Sequence, residues 1–228
     1  MERQLIKVRK EYKELYYKKH FELIKDQSES NLDKSQNSSS SLTEGDLSIH
    51  KRHSENKNES GKFKFKKINK KSILILGDSS LNGIEESKLP KTRHIRVQPI
   101  PGAKIDDVYK NLGDVLHHDL TKLILHVGVN NTNTDTAEDI FKNLMSLKQE
   151  IEKYLPNCDV IISNMIKRTD NPDAQRISES VNKQIKASNM KYIENDNINE
   201  KHLGKRGLHL NPNGNAKFAA NLLNAIRS

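Results

Sequence analysis

Four short segments gather the residues of this chain that could do chemistry: Gly77-Asp78-Ser79, Pro101-Gly102, Gly128-Val129-Asn130-Asn131 and Gly207-Leu208-His209. A serine hydroxyl becomes a useful nucleophile only when a base takes its proton during attack, and an imidazole is the usual base. Each residue also has a plainer reading: Ser79 as a helix cap after a strand, Asn130 as a turn former, His209 as an isolated loop histidine. Other chemistries find less support. No Gly-Lys-Ser/Thr phosphate loop exists, and Lys104 after Pro101-Gly102 lacks the pattern around it. His117 and His118 are adjacent on a predicted helix and point apart, and the other histidines lack ligand spacing, so no metal and no cofactor is expected. The single Cys158 excludes an intramolecular disulfide and a Cys-rich zinc module. Asp106-Asp107 and Glu85-Glu86 read as solvated helix faces, and Arg168 as a surface cation able to line a cleft.

The elements that must position these groups are legible from residue 72 onward. Ile73 to Leu76 is a wholly apolar run ending at Gly77, the mark of a strand buried on both faces. Similar runs are His94 to Val97, Lys122 to Val127, Asp159 to Ser163 and the weaker Lys191 to Ile193. Between them lie helical periods: Ile105, Val108, Leu112, Val115 and Leu116; Ile140, Leu144, Leu147, Ile151 and Tyr154; Ile177, Val181 and Ile185. A last helix begins at an Asn211 cap with Pro212 in its first turn and buries Phe218, Leu222, Leu223 and Ile226. The expected fold is α/β, a three-layer sandwich around a five-stranded parallel sheet of flavodoxin-like type. Reactive groups in such sheets collect beyond the carboxyl ends of the strands, where the four segments fall.

Composition divides the rest of the chain. Of 228 residues 39 are basic and 30 acidic, a net of +9, and the first 71 residues, with 18 basic and 11 acidic, hold +7 of it. Residues 1–25 read as one amphipathic helix, with Leu5, Val8, Tyr12, Leu15, Tyr16 and Phe21 on its stripe across 2–25. A coiled-coil fragment for self-association is expected there, with a membrane-surface or partner-docking helix as the alternative. Residues 26–61 are polar and poor in apolar side chains, as in a disordered linker. In the basic segment 62–71, Lys62, Lys64, Lys66, Lys67, Lys70 and Lys71 surround Phe63, Phe65 and Ile68. Such a strip could grip nucleic acid or simply solubilise an edge. No apolar run reaches a membrane-spanning length and no signal peptide opens the chain, so an intracellular, cytoplasmic protein is expected.

In order, the four segments resemble the blocks of the SGNH, or GDSL-type, hydrolases over residues 72–228. The stretches ILGDSSLNGI, HVGVNN and GLHLNPNGNAKFA are similar to SGNH-type domains of animal retrotransposon-encoded proteins. The resemblance implies acyl-ester hydrolysis on a small or lipid-derived ester, with Ser79 as nucleophile and His209 as base. It assigns the oxyanion hole to the Ser79 and Gly102 backbone amides and the Asn130 side chain, and gives Asp78 and Asn131 supporting roles. Two departures stand out. Arg206 occupies the position of the carboxylate that orients the histidine, and Asn131 replaces an aspartate. Loss of the triad carboxylate costs about 10⁴-fold in a well-characterised serine protease, so impaired activity is expected unless Glu194, Asp196, Glu200 or a backbone carbonyl holds the imidazole. The alternative is a noncatalytic module of this fold that binds nucleic acid through 62–71, or an oligomerising adaptor built on 2–25.

Overall fold

The computed structural model describes residues 72–91, 93–115 and 119–227. The expected helix of 2–25, the linker 26–61, the basic segment 62–71 and the pair His117 and His118 lie outside them. Five parallel strands, β1 (Ser72–Gly77), β2 (Ile95–Pro99), β3 (Leu120–His126), β4 (Asp159–Ser163) and β5 (Tyr192–Ile193), form one sheet in the order β2-β1-β3-β4-β5. The chain crosses from β2 past β1 to β3, so the connections leave β1 and β3 toward opposite faces and open a crevice between them.

Both faces of the sheet are covered. Ile73 and Ile75 of β1, Ile124, Ile161 and Ile193 join Phe218, Leu222 and Ile226 in one apolar cluster. Those last three belong to α5 (Pro212–Arg227), which covers that face. Alternate strand residues, Leu74, Leu76, Leu123, Leu125, Val160 and Ile162, are equally buried and turn to the opposite face. There α1 (Ile105–Lys110), α3 (Ala137–Tyr154) and α4 (Pro172–Ala187) pack together. Burial on both sides explains why β1 reads as a continuous apolar run.

Side-chain caps place the helices. Thr136 Oγ1 accepts from Asp139 N at the start of α3 (3.2 Å), Asn171 Oδ1 accepts from Asp173 and Ala174 at the start of α4, and Asn211 Oδ1 accepts from Gly214 N at the start of α5 (3.0 Å). One expectation is corrected. The helical period from Ile105 to Leu116 is split into α1 and the short α2 (Leu112–Val115). At the break, Asn111 Nδ2 donates to the Asp107 carbonyl (2.8 Å) while the Asn111 N–H turns to Val108 O. Its side chain thus takes the acceptor its own backbone would use, which ends the helix. Among the described residues no helix is long and apolar enough to cross a membrane.

Candidate active site

β1 delivers the Gly77-Asp78-Ser79 segment and β3 the Gly128–Asn131 segment, on neighbouring strands that flank the crevice. Gly77 pairs with His126 across the ladder, and the Asp78 N–H donates to the His126 carbonyl (3.0 Å). Asp78 is 1% exposed. Its Oδ1 accepts from Ser80 N (2.8 Å) and starts the 3₁₀ turn Ser79–Gly83. Asp78 therefore shapes the serine turn, while Ser79 itself stays partly exposed at the turn's first position.

The glycine segment is tied to both strands. Ile100 N donates to Gly77 O (2.7 Å), and Asn130 Nδ2 donates to Ala103 O (3.0 Å), so the Asn130 amide lies against the loop of Gly102. Gly102 is exposed with φ +75°, a conformation glycine adopts without strain. Asn131 is fully buried; its Oδ1 accepts from Ile105 N (3.0 Å) and its Nδ2 donates to Asp135 Oδ2 (2.6 Å). Hydrogen bonds from Thr134 and then Asn131 hold the Asp135 carboxyl below its ordinary pKa. An acid at 135 thus complements an amide at 131, which gives a local reason for Asn at that position.

His209 stands on a small hairpin. Leu203 and Leu210 form an antiparallel bridge, Gly204 N donates to His209 O (2.7 Å), and Gly207 turns with φ +70°. The hairpin leads into α5, where Asn215 lies so close to Gly83 of the serine turn that a Cβ on Gly83 would fall 2.1 Å from Asn215 Nδ2. On its other side, Gly207 O accepts from Thr169 N (2.7 Å). His209 and Arg206 are both solvent-exposed, and no side chain among the described residues hydrogen-bonds the imidazole. The three carboxylates considered as substitutes are engaged elsewhere, Glu194 and Asp196 with Lys186 and Glu200 with Lys167.

Two further groups lie beneath these loops, one that sequence reasoning missed and one that it read as a surface cation. His126, the last residue of β3, is buried with Nδ1 3.0 Å from Ser163 Oγ and its ring 4.7 Å from that of Phe218. Burial pushes its pKa down, against the opposing pull of Asp78 and Ser163. Ser163 Oγ also accepts from Asn195 Nδ2 (3.0 Å), which continues the polar contact to the segment after β5. A histidine directly after the apolar run Leu123 to Leu125 was the available signal. Arg168 is the second, and here the sequence reading is corrected. It is 6% exposed rather than a surface cation, with Nε and Nη2 on the Asp170 carboxylate (2.8 and 2.7 Å) and Nη1 on Thr132 Oγ1 (3.2 Å). The bonds from Arg168 hold the Asp170 carboxyl below its usual range. Among the described residues no cluster of His, Cys, Asp and Glu could hold a metal ion.

The same arrangement of strands and helices occurs in solved esterases. A GDSL-like lipase from Bacteroides thetaiotaomicron superposes with a TM-score of 0.56 at 18% identity, over 69% of this chain and 88% of that one. The lipase/acylhydrolase from Enterococcus faecalis gives 0.54 at 17%, over 69% and 96%. A carbohydrate esterase of family 3 from Talaromyces cellulolyticus gives 0.56 at 14%, over 69% and 97%. The fold is that of the GDSL-type hydrolases. At these identities the GDSL-type likeness concerns the fold alone. No family model matches the chain, and no curated relative does. The esterase domain of a zebrafish retrotransposon protein reaches a TM-score of 0.38, which carries no argument.

Proposed function

We propose that residues 72–228 form a GDSL-type hydrolase that cleaves a small or lipid-derived ester, with Ser79 as nucleophile and His209 as base. One observation carries this reading: all four loops leave the carboxyl side of one sheet, and consecutive contacts link them, from Gly77 to Ile100, Ala103 to Asn130, Thr132 to Arg168, Thr169 to Gly207 and Asn215 to Gly83. In the first step Ser79 Oγ adds to the ester carbonyl as its proton passes to His209. The oxyanion takes hydrogen bonds from the Ser79 and Gly102 amides and the Asn130 side chain, each donor worth roughly 3 to 4 kcal/mol. Collapse expels the alcohol with the proton from His209, and water releases the acyl group from Ser79 by the same route.

Activity is low in this reading because no group among the described residues hydrogen-bonds the imidazole to orient it. Arg206 is solvent-exposed, so water screens its charge and the missing carboxylate is the larger defect. The motifs quoted above also support an origin in a mobile element. The test is labelling of the full chain by a fluorophosphonate probe and turnover of an activated acetate ester. Both are expected to vanish in Ser79→Ala and to rise in Arg206→Asp. Equal rates in wild type and Ser79→Ala refute the enzyme and leave the noncatalytic module.

A further inference from the structure

Taking a charge out of water costs several kcal/mol unless partners satisfy it, so a buried cation is held to the groups it bonds and is suited to fixing geometry. Arg168 is such a case. The plane of its guanidinium carries two parallel bonds to Asp170 and a third to Thr132, and its backbone N–H donates to Gln175 Oε1 (2.7 Å). Each side of this clamp leads to a different loop. Thr132 Oγ1 donates to Val129 O (2.7 Å), the residue before Asn130. On the other side, the Thr169-Asp170 peptide closes on Gly207 so tightly that a Cβ there would lie 2.2 Å from Thr169 Oγ1 and 3.0 Å from Asp170 N. Gly207 is two residues from His209 on the hairpin that Gly204 N closes onto His209 O.

We propose that Arg168 is a positioning residue that couples the Asn130 loop to the His209 hairpin, setting the separation between the amide donor and the imidazole. Its catalytic consequence rests on the ester-hydrolysis reading; the mechanical coupling of the two loops does not. Lysine cannot replace it, because one ammonium on a flexible stem cannot make a bidentate carboxylate contact and a third bond in the same plane.

The experiment is amide hydrogen exchange by NMR on the full chain, comparing wild type, Arg168→Lys and Thr132→Val. Thr169 and Gly204 report the hairpin side, Asn131 the opposite loop, and Ile75 and Ile124 the sheet. Loss of a hydrogen bond to a charged group should speed exchange by about tenfold or more. In Arg168→Lys this acceleration is expected at both loops and not at Ile75 or Ile124. In Thr132→Val, which changes a residue of the Asn130 side and removes the third Arg168 bond, it is expected to reach Thr169 and Gly204. Acceleration that is uniform across all five amides, or confined to the substituted loop, overturns the proposal. Should Arg168→Lys fail to fold, the spread seen in Thr132→Val decides. In the ester assay, Arg168→Lys should lower the Ser79-dependent kcat by about tenfold with KM little changed, and an unchanged kcat also overturns it. Absence of Ser79-dependent turnover in the wild type would refute the ester reading alone, and the exchange pattern would still decide the coupling.

Discussion

Gly77→Ala is the sharpest probe of how the serine turn is held. An alanine Cβ at this position would sit 2.1 Å from the His126 carbonyl oxygen, 2.9 Å from its carbon and 3.0 Å from its Cβ. Real Cβ atoms do not approach backbone this closely, and the clash is with a strand rather than a pliable side-chain tip. β1 and β3 must therefore part by close to an ångström at their carboxyl ends. Overpacking of this kind costs about 1 to 3 kcal/mol. The same carbonyl accepts from Asp78 N at 3.0 Å, and weakening that bond adds about 1 kcal/mol. A total of about 2 to 4 kcal/mol is expected. Gly102→Ala is the matched control: its Cβ meets nothing within 4 Å, and only the φ of +75° opposes it, at a cost of about 1 to 2 kcal/mol. Because the chain has no Trp, urea unfolding is best followed by circular dichroism. If Gly77→Ala lies within 1 kcal/mol of wild type, or proves milder than Gly102→Ala, the steric account of the β1/β3 junction is wrong.

Three further outcomes follow from the same contacts. Burial holds the His126 pKa below its ordinary value, so below about pH 6.5 the unfolded chain gains a proton that the folded state refuses. Stability should fall with decreasing pH, by up to about 1.4 kcal/mol per unit from this group, until the folded pKa is reached. His126→Gln should show a shallower slope in urea melts between pH 7 and 5, and identical slopes would contradict the assignment. Asn131→Asp removes the donor to Asp135 and sets two carboxylates together; a loss of about 1 to 3 kcal/mol at pH 7 should shrink as pH falls through the carboxylate range, and a pH-independent loss would count against it. Phe218→Ala empties the centre of the α5 face, where Phe218 is fully buried against His126, and should cost about 3 to 5 kcal/mol by thermal or urea melting; a change under 1 kcal/mol would mean that this face is not the core.

The sheet, its parallel sense and the caps of α5 were readable from local pattern alone. A strand buried on both faces must be apolar throughout, as Ile73 to Leu76 is, and a helix must cap its first free N–H groups, as Asn211 does. The placement of chemistry-bearing residues at strand ends was equally local. What pattern could not reveal is anything set by neighbours distant in sequence. The helical period from Ile105 to Leu116 is sound, yet Asn111 breaks it with a bond that competes with the ladder. Arg168 looks like any exposed cation until Asp170 and Thr132 surround it, and His126 is one more histidine until Ser163, Phe218 and Asp78 close over it. Burial of a polar group depends on which partners the fold brings to it. Local sequence determines where the chain extends, coils and turns; only tertiary packing decides which charges leave water, because that requires compensating groups contributed by other strands.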